Sequence, residues 1–208
     1  MKEVLLFIFL FNHSFFLLAQ QQKLVGDCTV TYAVSSESEN STATNFKNFT
    51  KTLYVKSFMS RVDISSSDYS QSIIYNNKTS DAVILKEIGN NKYISKVDAQ
   101  KWKAQNAQYQ GMTLTLLNET KNILGYECKK AVATLKDGNK FSLYYSTAII
   151  TSATENPYQF KNVPGLVLEY EAQGTKNNKI IFTATKIDFS PVPASKFEIP
   201  ENGYRILN

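Results

Sequence analysis

Apolar and polar residues alternate with a period of two along most of this 208-residue chain. That rhythm suits extended strands, whose successive side chains point to opposite faces, and excludes a helical bundle. In CTVTYAVSS, Cys28, Val30, Tyr32 and Val34 share one face. In TLYVKSFMSRVDIS, Phe58, Ser60, Val62 and Ile64 do the same. SQSIIYNNKTSDAVILKEIGNNKYISKV reads as three strands, divided at Asn76-Asn77 and Gly89-Asn90, where residues tolerant of positive φ belong. CKKAVATLKDGNKFSLYYST is a hairpin turning at Asp137-Gly138. GLVLEYEAQGTKNNKIIFTATKI, residues 165–187, is another with a polar loop. Two segments break the rhythm. Residues 38–49 read as a short helix or loop. Residues 97–108 predict a helix capped by Asp98. The late prolines mark crossings or edge segments, since proline cannot join a central ladder.

The count is about ten to twelve short strands with one or two short helices. Hairpins dominate, which predicts a mainly β protein with an antiparallel sheet. No repeat or linker divides the chain, so residues 20–208 are expected to form a single β-rich domain. Residues 1–19 have a charged start, an apolar run and a small residue, Ala19, before Gln20. This pattern predicts a signal peptide cleaved after Ala19 and an exported product, periplasmic or extracellular. No later stretch is long and apolar enough for a transmembrane segment. Two cysteines in an exported chain invite a Cys28–Cys128 disulfide. Such a bridge would contribute about 4.7 kcal/mol in the chain-entropy model. Two separate buried thiols are the alternative.

The chemistry is narrowed most by histidine. The one imidazole, His13, lies in the segment expected to be removed. Ser-His-Asp and Cys-His machinery and histidine-built metal sites are thereby set aside. No metal or cofactor motif occurs, so no metal, no cofactor and no catalytic residue is assigned. Glu169 and Glu171 share a strand face and could serve as paired carboxylates. They could equally be the solvent side of a strand whose other side carries Leu168 and Tyr170. The net charge of +5 is scattered, without the basic stripe of a nucleic-acid surface, so no nucleic acid is expected as partner.

The segments ILGYECKKA (123–131), NPYQFKNVPGLVLEYE (156–171) and FEIPENGYRIL (197–207) resemble the GLPGLI family of exported proteins. Here the family motif reads NVPGLVL, with Val163 in place of its leucine and Val167 in place of its isoleucine. The resemblance implies an exported β-rich protein related to the LolA/LolB-type lipoprotein carriers. That in turn implies a single curved antiparallel sheet, a half-barrel closed by helices over an apolar cavity. Trp102, Tyr109, Met112, Phe141, Tyr145 and Phe160 would line such a hollow. Pro164 and Gly165, in a type II turn, would form its rim. An ordinary closed core is the other reading of the same aromatics.

The leading functional expectation is a non-enzymatic exported protein binding an apolar small molecule, a lipid or an envelope component. The alternative is a protein docking module using a sheet edge or an aromatic patch. A hydrolase working with carboxylates alone stands third.

Overall fold

The computed structural model describes residues 22–36, 49–174 and 178–207. The expected signal peptide and nearly all of the polar segment 38–49 lie outside them. Fourteen strands are described: β1 (Lys23–Val25), β2 (Asp27–Ser36), β3 (Thr50–Lys56), β4 (Met59–Ser65), β5 (Tyr69–Asn76), β6 (Ala82–Ile88) and β7 (Asn91–Val97), then β8 (Thr113–Ile123), β9 (Tyr126–Thr134), β10 (Lys140–Ser146), β11 (Ile149–Thr151), β12 (Leu166–Gln173), β13 (Lys179–Asp188) and β14 (Arg205–Ile206). One short helix, α1 (Ala99–Gln105), follows β7, with 3-10 turns at Ala107–Tyr109 and Ala194–Phe197. Asp98 caps α1 as its sequence predicts, accepting from the Lys101 amide at 2.8 Å.

Twelve strands form one sheet in the order β14-β7-β6-β5-β4-β3-β2-β13-β12-β10-β9-β8. Two runs of hairpins therefore meet where β2 pairs with the late strand β13. The expectation of a single curved antiparallel half-barrel needs correction. The sheet is open and mixed, neither closed nor strongly curled, and β14 joins β7 in parallel. A second, two-stranded sheet pairs β1 with β11, also in parallel. Alternation assigns side chains to faces but carries no information on curvature. Parallel pairs join segments far apart in sequence, which no hairpin signal announces.

The register explains the core. Cys28, Val30 and Tyr32 stand opposite Val55, Leu53 and Lys51, and Val55 and Leu53 stand opposite Ser60 and Val62. The apolar members of this face pack against Val25, Ile149 and Ala153, which belong to the small parallel sheet and the crossing after it. On the opposite face Ile74, Val83, Leu85 and Ile94 are covered by Phe197 and Tyr204 of the C-terminal segment. There the Arg61 guanidinium donates to the Lys196 carbonyl at 2.5 Å, and the Tyr204 hydroxyl donates to Glu87 at 2.7 Å. Each face is thus covered over part of its extent by the chain's own crossings.

The predicted disulfide is absent. Cys28 and Cys128 are free, buried thiols. Three strands stand between β2 and β9, roughly 19 Å of sheet at about 4.8 Å per strand. A bridge needs Cα atoms within about 7 Å. Burial, the largest cause for both, pushes the Cys28 thiol up to about 12 and the Cys128 thiol up to about 11, from an ordinary 9.0. The folded chain therefore holds these protons to higher pH than the unfolded chain does. Their contribution to stability is complete below pH 9 and is lost as pH rises through the folded values. Native protein at neutral pH should resist alkylation at both thiols, and denatured protein should take two labels without reductant. Mass spectrometry reads this directly, and a denatured, unreduced chain that takes no label would restore the bridge.

Candidate functional site

A cleft of about 630 Å³ opens among the described residues at one end of the strands. Its walls are the 3-10 turn at Ala107–Tyr109, the β9–β10 hairpin, the adjoining ends of β12 and β13, and Gln159 from the crossing before β12. Tyr109 and Phe141 meet edge to face, with ring centroids 6.4 Å apart. Leu135 and Ala172 are the other apolar residues of the wall. The remainder is polar: Gln108, Asn139, Lys140, Gln159, Glu171, Gln173, Asn178 and Lys179. Asp137 and Gly138 shape one wall. Gly138 takes φ +88°, and Asp137 accepts from both nitrogens of Asn139, at 3.0 and 2.9 Å.

A buried polar node lies close to the cleft. Lys51 is inward-facing on β3 and fully buried. Its ammonium donates to both oxygens of Glu155, at 2.6 and 2.7 Å, and to the Tyr170 hydroxyl at 2.6 Å. It also lies 4.4, 4.5 and 5.1 Å from the ring centroids of Tyr32, Tyr170 and Phe182. Three π faces and a carboxylate replace the water that a buried ammonium loses. Burial still lowers the Lys51 pKa, against the opposing pull of Glu155. Tyr32 and Tyr170 are raised well above the usual phenol value, by burial first and by the Glu155 charge second. Tyr109 in the cleft is also raised, mainly by burial, and feels the Glu155 charge.

The six aromatic and sulfur residues expected to line one hollow are dispersed. Tyr109 and Phe141 line the cleft. Met112 is half-buried just beyond it, its amide donating to the Tyr109 carbonyl at 3.3 Å. Tyr145 and Phe160 are core residues packed with Leu143, Val167 and Tyr170. Trp102 is buried under α1, stacked on Tyr75 with centroids 5.8 Å apart. Pro164 is exposed. Gly165 lines a separate cavity of about 40 Å³ beside Tyr32, Glu155 and Phe160. The type II turn predicted at Pro164-Gly165 would place its glycine at positive φ. Gly165 does not take one, and Asn162 does, at 64°. The glycine answers to close approach instead, because a Cβ there would overlap the Ser146 carbonyl.

Glu169 and Glu171 face neighbouring cations rather than each other's protons. Glu169 accepts from Lys121 and from the Thr183 hydroxyl, each at 2.8 Å. Glu171 pairs with Lys179 at 3.2 Å and accepts from the Ser142 amide at 3.0 Å. Among the described residues no group of three or more His, Cys, Asp or Glu side chains could hold a metal ion. No helix among them is long and apolar enough to cross a membrane. Lys51 escaped the sequence reading although its signal was present: strand alternation places it in line with Leu53 and Val55. Glu155 sits in a crossing without periodicity and carried no signal.

The described residues are therefore mainly β, with a sheet partly covered on each face and an open, polar-walled cleft. The model of the N-glycanase peptide, N-terminal domain, matches residues 30–202, and the chain belongs to that family. This overturns the GLPGLI resemblance. The glycine of its motif is accounted for by local packing against Ser146. No curated protein matches the chain. A crystal structure of PNGF-II is similar at 15% identity and TM-score 0.54, over 88% of this chain and 31% of that one. The chain thus spans about a third of the length of that relative. An uncharacterized conserved protein from Thermus thermophilus matches at 9% identity and TM-score 0.49, over 87% and 89% of the two chains. MucB in complex with MucA matches at 11% identity and TM-score 0.43, over 84% and 54%. The first likeness concerns the fold alone, and the last two are too slight to bear on function.

Proposed function

We infer that the chain is a non-catalytic recognition module, and that the cleft between the Ala107–Tyr109 turn and the β9–β10 hairpin docks a polypeptide partner. One observation carries this reading: the cleft wall holds an aromatic pair, Tyr109 and Phe141, among amide and charged groups. Protein interfaces are built that way, with aromatic anchors inside a polar rim. An acyl chain needs a mostly apolar enclosure. The second cavity, beside Gly165, is far too small for one at about 40 Å³. Family membership supports a partner class. The family takes its name from an N-glycanase, so an exported protein bearing N-glycans is the natural candidate. An exported location, with residues 1–19 as the signal, belongs to the same reading.

The test immobilises an N-glycosylated protein, ribonuclease B, before and after enzymatic removal of its glycan. Binding of the full chain is followed by biolayer interferometry. Docking through the polypeptide gives binding to both forms, weakened tenfold or more by Tyr109→Ala or Phe141→Ala, about 1.4 kcal/mol or above. Binding to neither form, or binding unaffected by both substitutions, overturns the reading. A lipid that co-purifies stoichiometrically in native mass spectra would overturn it in favour of a carrier.

A further inference from the structure

We infer that Asn156, which does not itself line the cleft, is the positioning residue that sets two of its walls. The inference rests on the docking reading of that cleft. Asn156 belongs to the crossing between β11 and β12. Its side chain works in two directions. The amide oxygen accepts from the backbone N–H of Tyr158 at 2.9 Å and of Gln159 at 3.2 Å. The amide nitrogen donates to the side-chain oxygen of Asn106 at 2.9 Å. Gln159 lines one wall of the cleft and Tyr109 another.

Asn106 carries the connection to Tyr109. It is buried and stands between α1 and the 3-10 turn. Its side-chain nitrogen donates to the Trp102 carbonyl at 2.9 Å. Its own carbonyl accepts from the Tyr109 amide at 3.0 Å. Both ends of its carboxamide are therefore engaged, one by the helix and one by the crossing. The turn Ala107–Tyr109 buries none of its residues, so it draws little hold from the core.

The crossing is itself fixed on both sides of Asn156. Before it, Glu155 accepts from Lys51 at 2.6 and 2.7 Å. After it, Pro157 has a ring-locked φ and disfavours helical backbone at Asn156. A capping Asn followed by proline is a favoured way to open a helical turn. The Phe160 amide closes that turn on the Asn156 carbonyl at 3.0 Å. A rigid base thus presents one amide group to both walls. A site ordered before docking loses less entropy when a partner arrives.

Two substitutions cut the bridge and keep the cap. Asn156→Ser retains a capping oxygen on a side chain too short to reach Asn106. Asn156→Asp has the same shape and no donor. Hydrogen exchange of the full chain is followed by mass spectrometry, with thermal melts alongside. Peptides covering residues 107–112 should exchange at least tenfold faster in both variants, while those from β3 to β6 and the Tm match the parent. Affinity for ribonuclease B should fall at least fivefold. Exchange at 107–112 as slow as in the parent overturns the proposal. Faster exchange spread over the strands with a lower Tm overturns it as well, since that marks a purely structural role. So does faster local exchange with unchanged affinity. If the parent binds neither form of ribonuclease B, the docking reading falls on that result alone, and exchange at 107–112 still decides whether Asn156 holds the turn.

Discussion

Replacing Lys51 with alanine should destabilise the fold by about 3–5 kcal/mol, the range for breaking a buried ion pair from one side. For a domain of this size that is a Tm lower by roughly 10–15 °C. Three losses coincide. The Glu155 carboxylate, mostly buried, is left without its cation. The Tyr170 hydroxyl loses a donor at 2.6 Å. The rings of Tyr32, Tyr170 and Phe182 lose the ammonium they enclose. Glu155 belongs to the crossing between β11 and β12, so the pair also ties that crossing to the sheet. The double variant Lys51→Met, Glu155→Met should recover much of the loss, because removing both charges leaves neither one buried alone. Thermal and urea unfolding measure both. A single Lys51→Ala variant within about 1 kcal/mol of the parent would show that the node carries little stability.

The second large effect concerns Gly165, immediately before β12. A methyl group there would overlap the Ser146 carbonyl oxygen, with the carbonyl carbon at 2.7 Å and the Thr147 amide nitrogen at 3.1 Å. All three are backbone atoms in paired or turning chain, so none can rotate away. Ser146 stands opposite Leu166 in the β10–β12 ladder, next to a register shift at Tyr144/Tyr145. Relief would have to come from opening that ladder. Gly165→Ala should therefore lose about 3 kcal/mol or more, at or beyond the upper end for overpacking. Gly26→Ala is the matched control. Nothing lies within 4 Å of a Cβ there, its φ is not in the left-handed region, and its change should stay below about 1 kcal/mol. Equal melting curves for the two variants would refute the close-approach account of the motif glycine.

Much of the local structure was legible. The strands of CTVTYAVSS, the three strands of residues 70–97, the Asp137-Gly138 turn and the Asp98 cap follow from periodicity and capping, which act within a few residues. β8 was not read, because TLTLLNETKNI lies on an edge and its exposed leucines carry no inward face. The shared hollow failed for a related reason. Trp102, Tyr145 and Tyr109 are all aromatic, yet one lies under a helix, one in the core and one in the cleft. Aromatic content indicates burial and not which surface is buried against which.

The amino-acid order determined which segments extend, where they turn and which side chains share a face, since these depend on neighbours one to four positions away. It also placed a cation among the inward positions of β3. Only the tertiary structure decided that the sheet stays open, that β1 and β14 pair in parallel with distant partners, and that the two thiols never meet. The same holds for the carboxylate brought to Lys51 from a crossing 104 residues away. Those outcomes depend on contacts between segments far apart along the chain, and such contacts are selected by the packing of the whole molecule.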